Sequence, residues 1–583
     1  MAPPMVAVPP PGARALLEET ALPRDLPPIP REFAQLREVA QPAFYEETLP
    51  NGLRVLLLED HEVPLVRGTL MMRGGKYASP PDKVGVATLT AAVQRAGGSR
   101  AHTGDEMDAR LEDLAAGIEF NAGSLSTAAG FQCLSGDLRE VVGLMSEVVR
   151  APAWSGDKLS LFREQVVSMI DHQNDNPSAI ANRLLLRQMY GPDSVYARQA
   201  TKKGVASIGV EDLQSFAATW QRPETAVLGL VGDFEPRAAM TIVKDAFGAW
   251  EGGAPAQAVA GAAVPKGRAM DSVPRAYPAW WDEDDGGSGG GRGEGSWSSS
   301  SAEGAIVSSV RGSGGGGGAS PLGRVFVVDV PGLAQATVVS AEPGVKLLEP
   351  DSYPLEVLSG IYNGFGGKLF NAIRSRQGLA YSVSASWDPP LDHRGLFVAS
   401  AQTSDPGALL AALRVQLLPS APPLSATDAG PPPAAAAPAR EGGADGPGDG
   451  SAGGGASPSA VAAALKASDA ASSPGASWPA EADVNDAKER YLNAFVFNYT
   501  SKAQQMQRVM VCELLGLPRD LLSQLQRGVA AVTADDVAAA AARRLHPTAQ
   551  AVVVVGDGKA VTESLRAAGF NDLTPLALPS VDE

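Results

Sequence analysis

The sequence predicts an α+β protein made of two tandem homologous α+β units joined by a disordered linker. Three observations predict it. Apolar residues switch repeatedly between a helical period and a period of two. A closing segment recurs at one constant offset, and two compositionally biased stretches fall between and inside the copies. On this reading residues 1–43 are a proline-rich arm and 44–251 the first copy. Residues 252–323 are the linker, 324–418 and 482–583 the second copy, and 419–481 an insert within it.

Composition narrows the class. A chain of 583 residues at 44% hydrophobic has ample material for a large core, and the biased stretches inflate any domain count taken from length. A net charge of −17 argues against nucleic acid and anionic membrane surfaces as partners. Only two cysteines occur, Cys133 and Cys512, which excludes a disulfide framework and makes a reducing compartment the default. No run approaches the ~18 apolar residues of a membrane span, so no direct membrane insertion is expected. The opening MAPPMVAVPPPGARALLEET has neither the apolar core of a secretory signal nor the acid-poor look of a transit peptide.

Structure begins at Phe44. Pro50-Asn51-Gly52 separates two alternating runs, a hairpin signal because Asn-Gly accepts positive φ. A strand from Leu65 to Met72 ends at Gly74-Gly75, and a helix from Val84 to Ala96 carries Val86, Leu89, Val93 and Ala96 on its buried stripe. A helix from Asp105 to Ala116 is expected to stop at Gly117 and pass into a strand, Ile118–Ser126. Helices follow from Asp137 to Tyr190 and from Val210 to Trp220.

In the second copy the stretch Leu369–Trp387 repeats that grammar. Leu369, Phe370 and Ile373 mark a helix face, Arg374 and Arg376 sit in its last turn, and Gly378 stands where it should end. Beyond it Tyr381, Val383, Ala385 and Trp387 alternate with Ser382, Ser384 and Ser386, so all four are expected on one strand face.

The repeat is explicit at the close of each copy. Val205/Val529, Asp212/Asp536, Pro223/Pro547 and Gly232-Asp233/Gly556-Asp557 keep one register: 529 − 205, 547 − 223 and 556 − 232 all equal 324. Between and within the copies, the Gly/Ser-rich and Ala/Pro/Gly-rich stretches lack the apolar residues to offset chain entropy. Trp280-Trp281 with the following acidic run reads as an exposed feature of the linker.

Several separated motifs resemble the insulinase (pitrilysin) family of zinc metallopeptidases, in particular the branch that includes the mitochondrial processing peptidase subunits. They are NGLRVLLLED, the Asp175–Pro177 DNP, LFNAIRSRQGLAYSV, KERYLNAFVFNYTSKAQQM and VTADDVAAAAARRLHP, in that order along the chain. The resemblance implies a pair of similar α+β domains per chain and closure of two such chains, or of two linked halves, around a peptide-filled chamber. It also implies an inverted His-x-x-Glu-His zinc motif on a first-copy helix and a glutamate ligand on a later one. At those positions this chain has Thr88, Ala92, Ala91 (the general base) and Met169. Two methyl groups, a lone hydroxyl and a thioether do not make a zinc site. The five histidines, His61, His102, His172, His393 and His546, are scattered and read as surface or cap residues. No cofactor is expected in this chain; zinc would sit only in a partner subunit.

The resemblance further implies that an Arg and a Tyr seven apart at a helix–Gly–strand corner hold the scissile carbonyl. Arg374 and Tyr381 match, since 381 − 374 = 7. Read without it, Arg374 caps a helix and Tyr381 is core with a polar tip. The loop Asn363–Gly367 lacks the Lys-Ser/Thr of a nucleotide loop and reads either as a tight turn or as a substrate-handling loop. Strand Ile118–Ser126 corresponds to the family's edge for extended peptides. The function expected is a zinc-less subunit that pairs with a zinc-bearing chain, binds peptide or presequence substrates and supplies Arg374 and Tyr381 in trans. The alternative is a structural core-type subunit of a membrane respiratory or photosynthetic complex. Residence in an organelle, mitochondrial matrix or plastid stroma, follows from the same resemblance.

Overall fold

The computed structural model describes residues 42–251, 320–364, 366–418 and 478–578. The N-terminal arm, Trp280-Trp281, Phe365, and all but the borders of the linker and the insert lie outside them. Residues Ala40–Glu583 form one compact unit.

The first half starts with the expected hairpin, β1 (Tyr45–Thr48) and β2 (Arg54–Glu59), turning at Gly52 with φ +91°. Asn51 does more than turn: its Nδ2 donates to the carbonyls of Phe247 at 2.8 Å and Trp250 at 3.0 Å. After β3 (Leu65–Arg73) come α1 (Val86–Gly97) and α2 (Gly104–Asp113). A full capping box between Thr103 and Glu106 starts α2.

Its end differs from the sequence reading. The left-handed residue is Ala115, φ +46°, and Gly117 already opens β4 (Gly117–Ala122). The expected continuous strand to Ser126 is broken as well, because the chain turns at Gly123 and returns as β5 (Ser126–Leu134), with Gly123 N–H donating to Ser126 O at 2.8 Å. Then follow α3 (Leu138–Arg150), α4 (Gly156–Asp171), α5 (Pro177–Tyr190), α6 (Lys202–Ser207), α7 (Val210–Trp220), β6 (Ala226–Gly232) and α8 (Pro236–Phe247). Asn176 caps α5 through two backbone N–H groups ahead of a proline at its first turn.

The second half contains β7 (Val325–Asp329), β8 (Ala336–Pro343), α9 (Ser352–Tyr362), β9 (Val383–Asp388), β10 (Leu396–Thr403) and α10 (Pro406–Leu417). Beyond the insert lie α11 (Glu481–Phe495), α12 (Lys502–Leu515), α13 (Leu521–Ala531), α14 (Ala534–Arg544), β11 (Ala551–Gly556), α15 (Gly558–Ala567) and β12 (Leu573–Pro575). Among the described residues no helix is long and apolar enough to cross a membrane.

The duplication holds down to strand order. The two six-stranded sheets run β1-β2-β6-β3-β5-β4 and β12-β7-β11-β8-β10-β9. In both, the second and third strands are parallel and the remaining pairs from there to the far edge antiparallel. Helices α7 and α14 obey the same offset, 534 − 210 = 544 − 220 = 324. Their N-termini are closed alike: Asp212 accepts from Gly209 N–H at 2.8 Å and Asp536 from Thr533 N–H at 2.9 Å.

Each half covers the other's sheet. One face of the first sheet packs on α3 and α8, in a core with Val141, Met145, Met240 and Phe247. Its other face receives α12 from the second half, where Met506, Val509, Met510 and Leu514 meet Leu56, Met71, Val227 and Val231. Reciprocally, α5 lays Ile180, Leu184, Leu185 and Met189 on Phe326, Val339, Val553 and Val555 of the second sheet. Strands β6 and β11 are therefore buried along their whole length, which accounts for their unbroken apolar sequences. Ion pairs fasten α12 at both ends, Lys502 to Asp60 at 2.8 Å and Glu513 to Arg54.

Candidate functional site

The Leu369–Trp387 corner keeps the expected order with altered geometry. Phe370–Arg376 is a π-helical turn, with Ala372 and Ile373 buried in the second core. Gly378, φ +63°, ends it; Leu379 N–H reaches back to Ile373 O at 3.0 Å and Gly378 N–H to Arg374 O at 3.1 Å. That double closure is the glycine-terminated helix end anticipated from the sequence.

Tyr381 corrects the strand reading. It precedes β9, is 77% exposed, and does not share the burial of Ala385 and Trp387. The alternation that grouped it with them is real only from Val383 onward, where pairing with β10 begins. Freed from the core, the Tyr381 ring lies against Arg374, whose guanidinium carbon is 4.4 Å from its centroid and 4.8 Å from that of Phe370. The guanidinium is thus held against two rings, and its side chain has no hydrogen bond or ion pair among the described residues. Its planar N–H edge is available for an oxyanion or carbonyl.

Beside this pair, the Asn363–Gly367 loop closes a tight turn, Gly367 N–H donating to Gly364 O at 3.0 Å. An added Cβ at Gly367 would come within 2.4 Å of Asn363 O. The next residue, Lys368, has its ammonium over the rings of Trp478 and Tyr362, 5.5 and 5.8 Å from their centroids. Burial pushes its pKa down to about 8.

The residues at which the resemblance would place a metal site fall on two packed helices. On α1, Ala91 is 2% exposed and belongs to the core beneath the first sheet, while Thr88 and Ala92 are half-buried. Met169, on α4, is 63% exposed. Leu89 and Val93 of α1 pack with Leu159 and Ile170 of α4, so the two helices are neighbours. The donor set does not fit zinc, and among the described residues no group of three His, Cys, Asp or Glu is placed to hold a metal ion.

One histidine departs from its expected surface or cap role. His393 is buried, Nδ1 2.6 Å from Asp392 Oδ1 and stacked on Tyr196 at 3.8 Å, with Tyr77 and Tyr190 edge-on. No local sequence signal marks this cage, because its tyrosines come from the other half. His61, by contrast, lies between Asp233 and Glu59, 2.5 Å from each, and both raise its pKa.

The peptidase M16 inactive domain family matches residues 207–275 and 317–418. Among solved structures, a peptidase M16 inactive domain from Pseudomonas fluorescens is similar at 20% identity, with TM-score 0.58, over 88% of this chain and 98% of that one. A protease from Helicobacter pylori is similar at 13% identity, with TM-score 0.61, over 88% of this chain and 100% of that one. At such identities these likenesses establish the fold. No curated protein matches by sequence.

Proposed function

We propose that this chain, which has the M16 fold and matches that family's inactive domain, is the zinc-less subunit of a two-chain peptidase of the processing-peptidase type. It would bind an extended peptide along β4 and present Arg374 and Tyr381 to a zinc site carried by a partner chain. The observation that carries the reading is the pairing of a half-buried Arg374 with the exposed Tyr381. An arginine with no counter-ion among the described residues, its plane set by Phe370 and Tyr381, is poised for charge that arrives with a ligand. The erased donors at Thr88, Ala91, Ala92 and Met169 account for why the metal must come from elsewhere.

The chemistry follows from where charge develops. Attack of water on a peptide carbonyl places negative charge on its oxygen, and preorganised N–H and O–H donors stabilise that oxygen more than the ground-state carbonyl. Arg374 would supply the guanidinium N–H groups and Tyr381 the phenolic O–H.

Coexpression with the zinc-bearing homologue of the same organism tests this. The purified pair is expected to cleave peptides, with Arg374→Ala or Tyr381→Phe lowering kcat roughly 10²-fold and leaving KM little changed, as for other single oxyanion donors. Equal activity of the variants would refute donation in trans. Co-purification with a membrane complex instead would favour a structural subunit.

A further inference from the structure

The two sheets end in equivalent edge strands whose outer backbone groups differ in what meets them at the central positions. Equivalence follows from register. Leu230 and Val554, matched by the 324-residue offset (554 − 230), pair with Gly68 and Val338. These pair with Phe131 and Ala401, which in turn pair with Ile118 of β4 and Val383 of β9. Counting along each strand, Phe120 is equivalent to Ala385 and Ala122 to Trp387. In an antiparallel edge strand every second residue turns its N–H and C=O away from the neighbouring strand. Here the outward residues are Ile118, Phe120 and Ala122 on β4, and Val383, Ala385 and Trp387 on β9.

On β9 both groups of Ala385 and the Trp387 N–H are occupied by side chains of the chain itself. Asn363 Oδ1 accepts from Ala385 N–H at 3.0 Å while its Nδ2 donates to Ala385 O at 2.7 Å. Ser359 Oγ accepts from Trp387 N–H at 3.0 Å and donates its own proton to Leu355 O at 2.9 Å. A carboxamide carries the donor and acceptor of a peptide group, so Asn363 replaces one residue of a strand that would otherwise pair there. On β4 the Ile118 carbonyl accepts from Arg95 Nε at 2.6 Å. The outward N–H and C=O groups of Phe120 and Ala122 have no hydrogen-bond partner among the described residues. Backbone groups left unmet at an edge are what an added strand satisfies.

We propose that Asn363 and Ser359 seal the second sheet edge, so that a peptide strand adds to β4 alone and each chain takes one extended peptide. This rests on the peptide-binding reading above and specifies which of two pseudo-equivalent edges serves it. It also explains the glycines after Asn363. The chain must reverse as soon as it has delivered that carboxamide, and Gly364 does so at φ +91°. The seal braces the strand that begins two residues after Tyr381, tying the glycine loop to the Arg374–Tyr381 corner.

Hydrogen exchange at amide resolution, on the full chain, tests the proposal. The probe is a 12-residue peptide of alternating Thr and Val with a Lys at each end. In the free protein, Ala385 and Trp387 amides are expected to be protected and those of Phe120 and Ala122 to exchange about tenfold faster or more. Asn363→Ala should speed Ala385 about tenfold without loosening its neighbour strand at Ala399, and Ser359→Ala should act on Trp387 only. If Asn363→Ala loosens Ala399 too, the half has opened, and Asn363→Asp, which keeps the acceptor and loses the donor, decides. Probe binding should protect Phe120 and Ala122 and leave Ala385 unchanged. Ala385 exchanging as fast as Phe120 in the free protein, Asn363→Ala that leaves it protected, Asn363→Asp that unprotects it while Ala399 stays protected, or equal probe protection of both edges would each overturn the seal. A probe that protects neither edge while Ala385 still depends on Asn363 would sink the peptide reading and leave the seal standing.

Discussion

Met510 is the residue through which the interlocking of the halves can be measured. It belongs to a second-half helix, is fully buried, and packs on first-half strands among Leu56, Leu58, Val227 and Val231. Gly229 of β6 makes the slot that receives it, since a Cβ there would lie 2.4 Å from the Met510 sulfur and 2.9 Å from Met506 Cγ. Met510→Ala empties that slot, and the facing glycine has no side chain to move in. Buried Met-to-Ala changes cost about 2–5 kcal/mol, and a site that relaxes so little belongs near 3 kcal/mol. That is a change of about 10² in the equilibrium between closed and open forms. Because α12 covers β3 and β6, the loss should be shared. Urea unfolding followed by hydrogen exchange should show β6 amides and α12 amides losing protection together, at a lower midpoint than in the parent chain. If β6 kept its protection while α12 alone loosened, the two halves would not form one cooperative unit and the reasoning would fail.

Two further outcomes follow from ionisation. Asp233 and then Glu59 hold the His61 imidazolium, so its midpoint by NMR should lie above the ordinary 6.5, and Asp233→Asn should bring it down. With the folded pKa raised, the stabilisation is complete below the unfolded value and is lost as pH rises through the folded one. Flat stability across that range would contradict the assignment. Cys133 and Cys512 are buried, and desolvation pushes their thiols up to about 12 and about 11. Iodoacetamide at pH 8 should leave both unmodified in the native chain and alkylate both in urea; native-state labelling would refute this.

Much of the local structure was legible in the residues. The Asn51-Gly52 turn, the Gly378 stop and the 324-residue repeat all depend on short-range chemistry: positive φ, a missing Cβ, a cap. The misreadings have one character. Gly117 carries the local signal of a stop, but Ala115 makes the reversal and Gly117 already pairs with Gln132 in β4. Tyr381 continued the alternation of β9 in sequence, yet pairing with β10 begins only at Val383, and pairing is a property of two strands. Asn363 read as part of a loop because nothing nearby announces that Ala385, 22 residues on, needs its carboxamide.

The sequence by itself determined the α+β repeat and the lack of any ligating atom in the Ala91 and Ala92 side chains, which no fold can alter. Only the tertiary structure decided that α5 and α12 cross to the opposite sheets, that Tyr381 stands in solvent against Arg374, and that the Asn363 carboxamide meets the backbone of Ala385. The physical reason is that apolar patterning says a face will be buried without naming the surface that buries it. A backbone hydrogen-bond group, likewise, is indifferent to how far along the chain its partner lies.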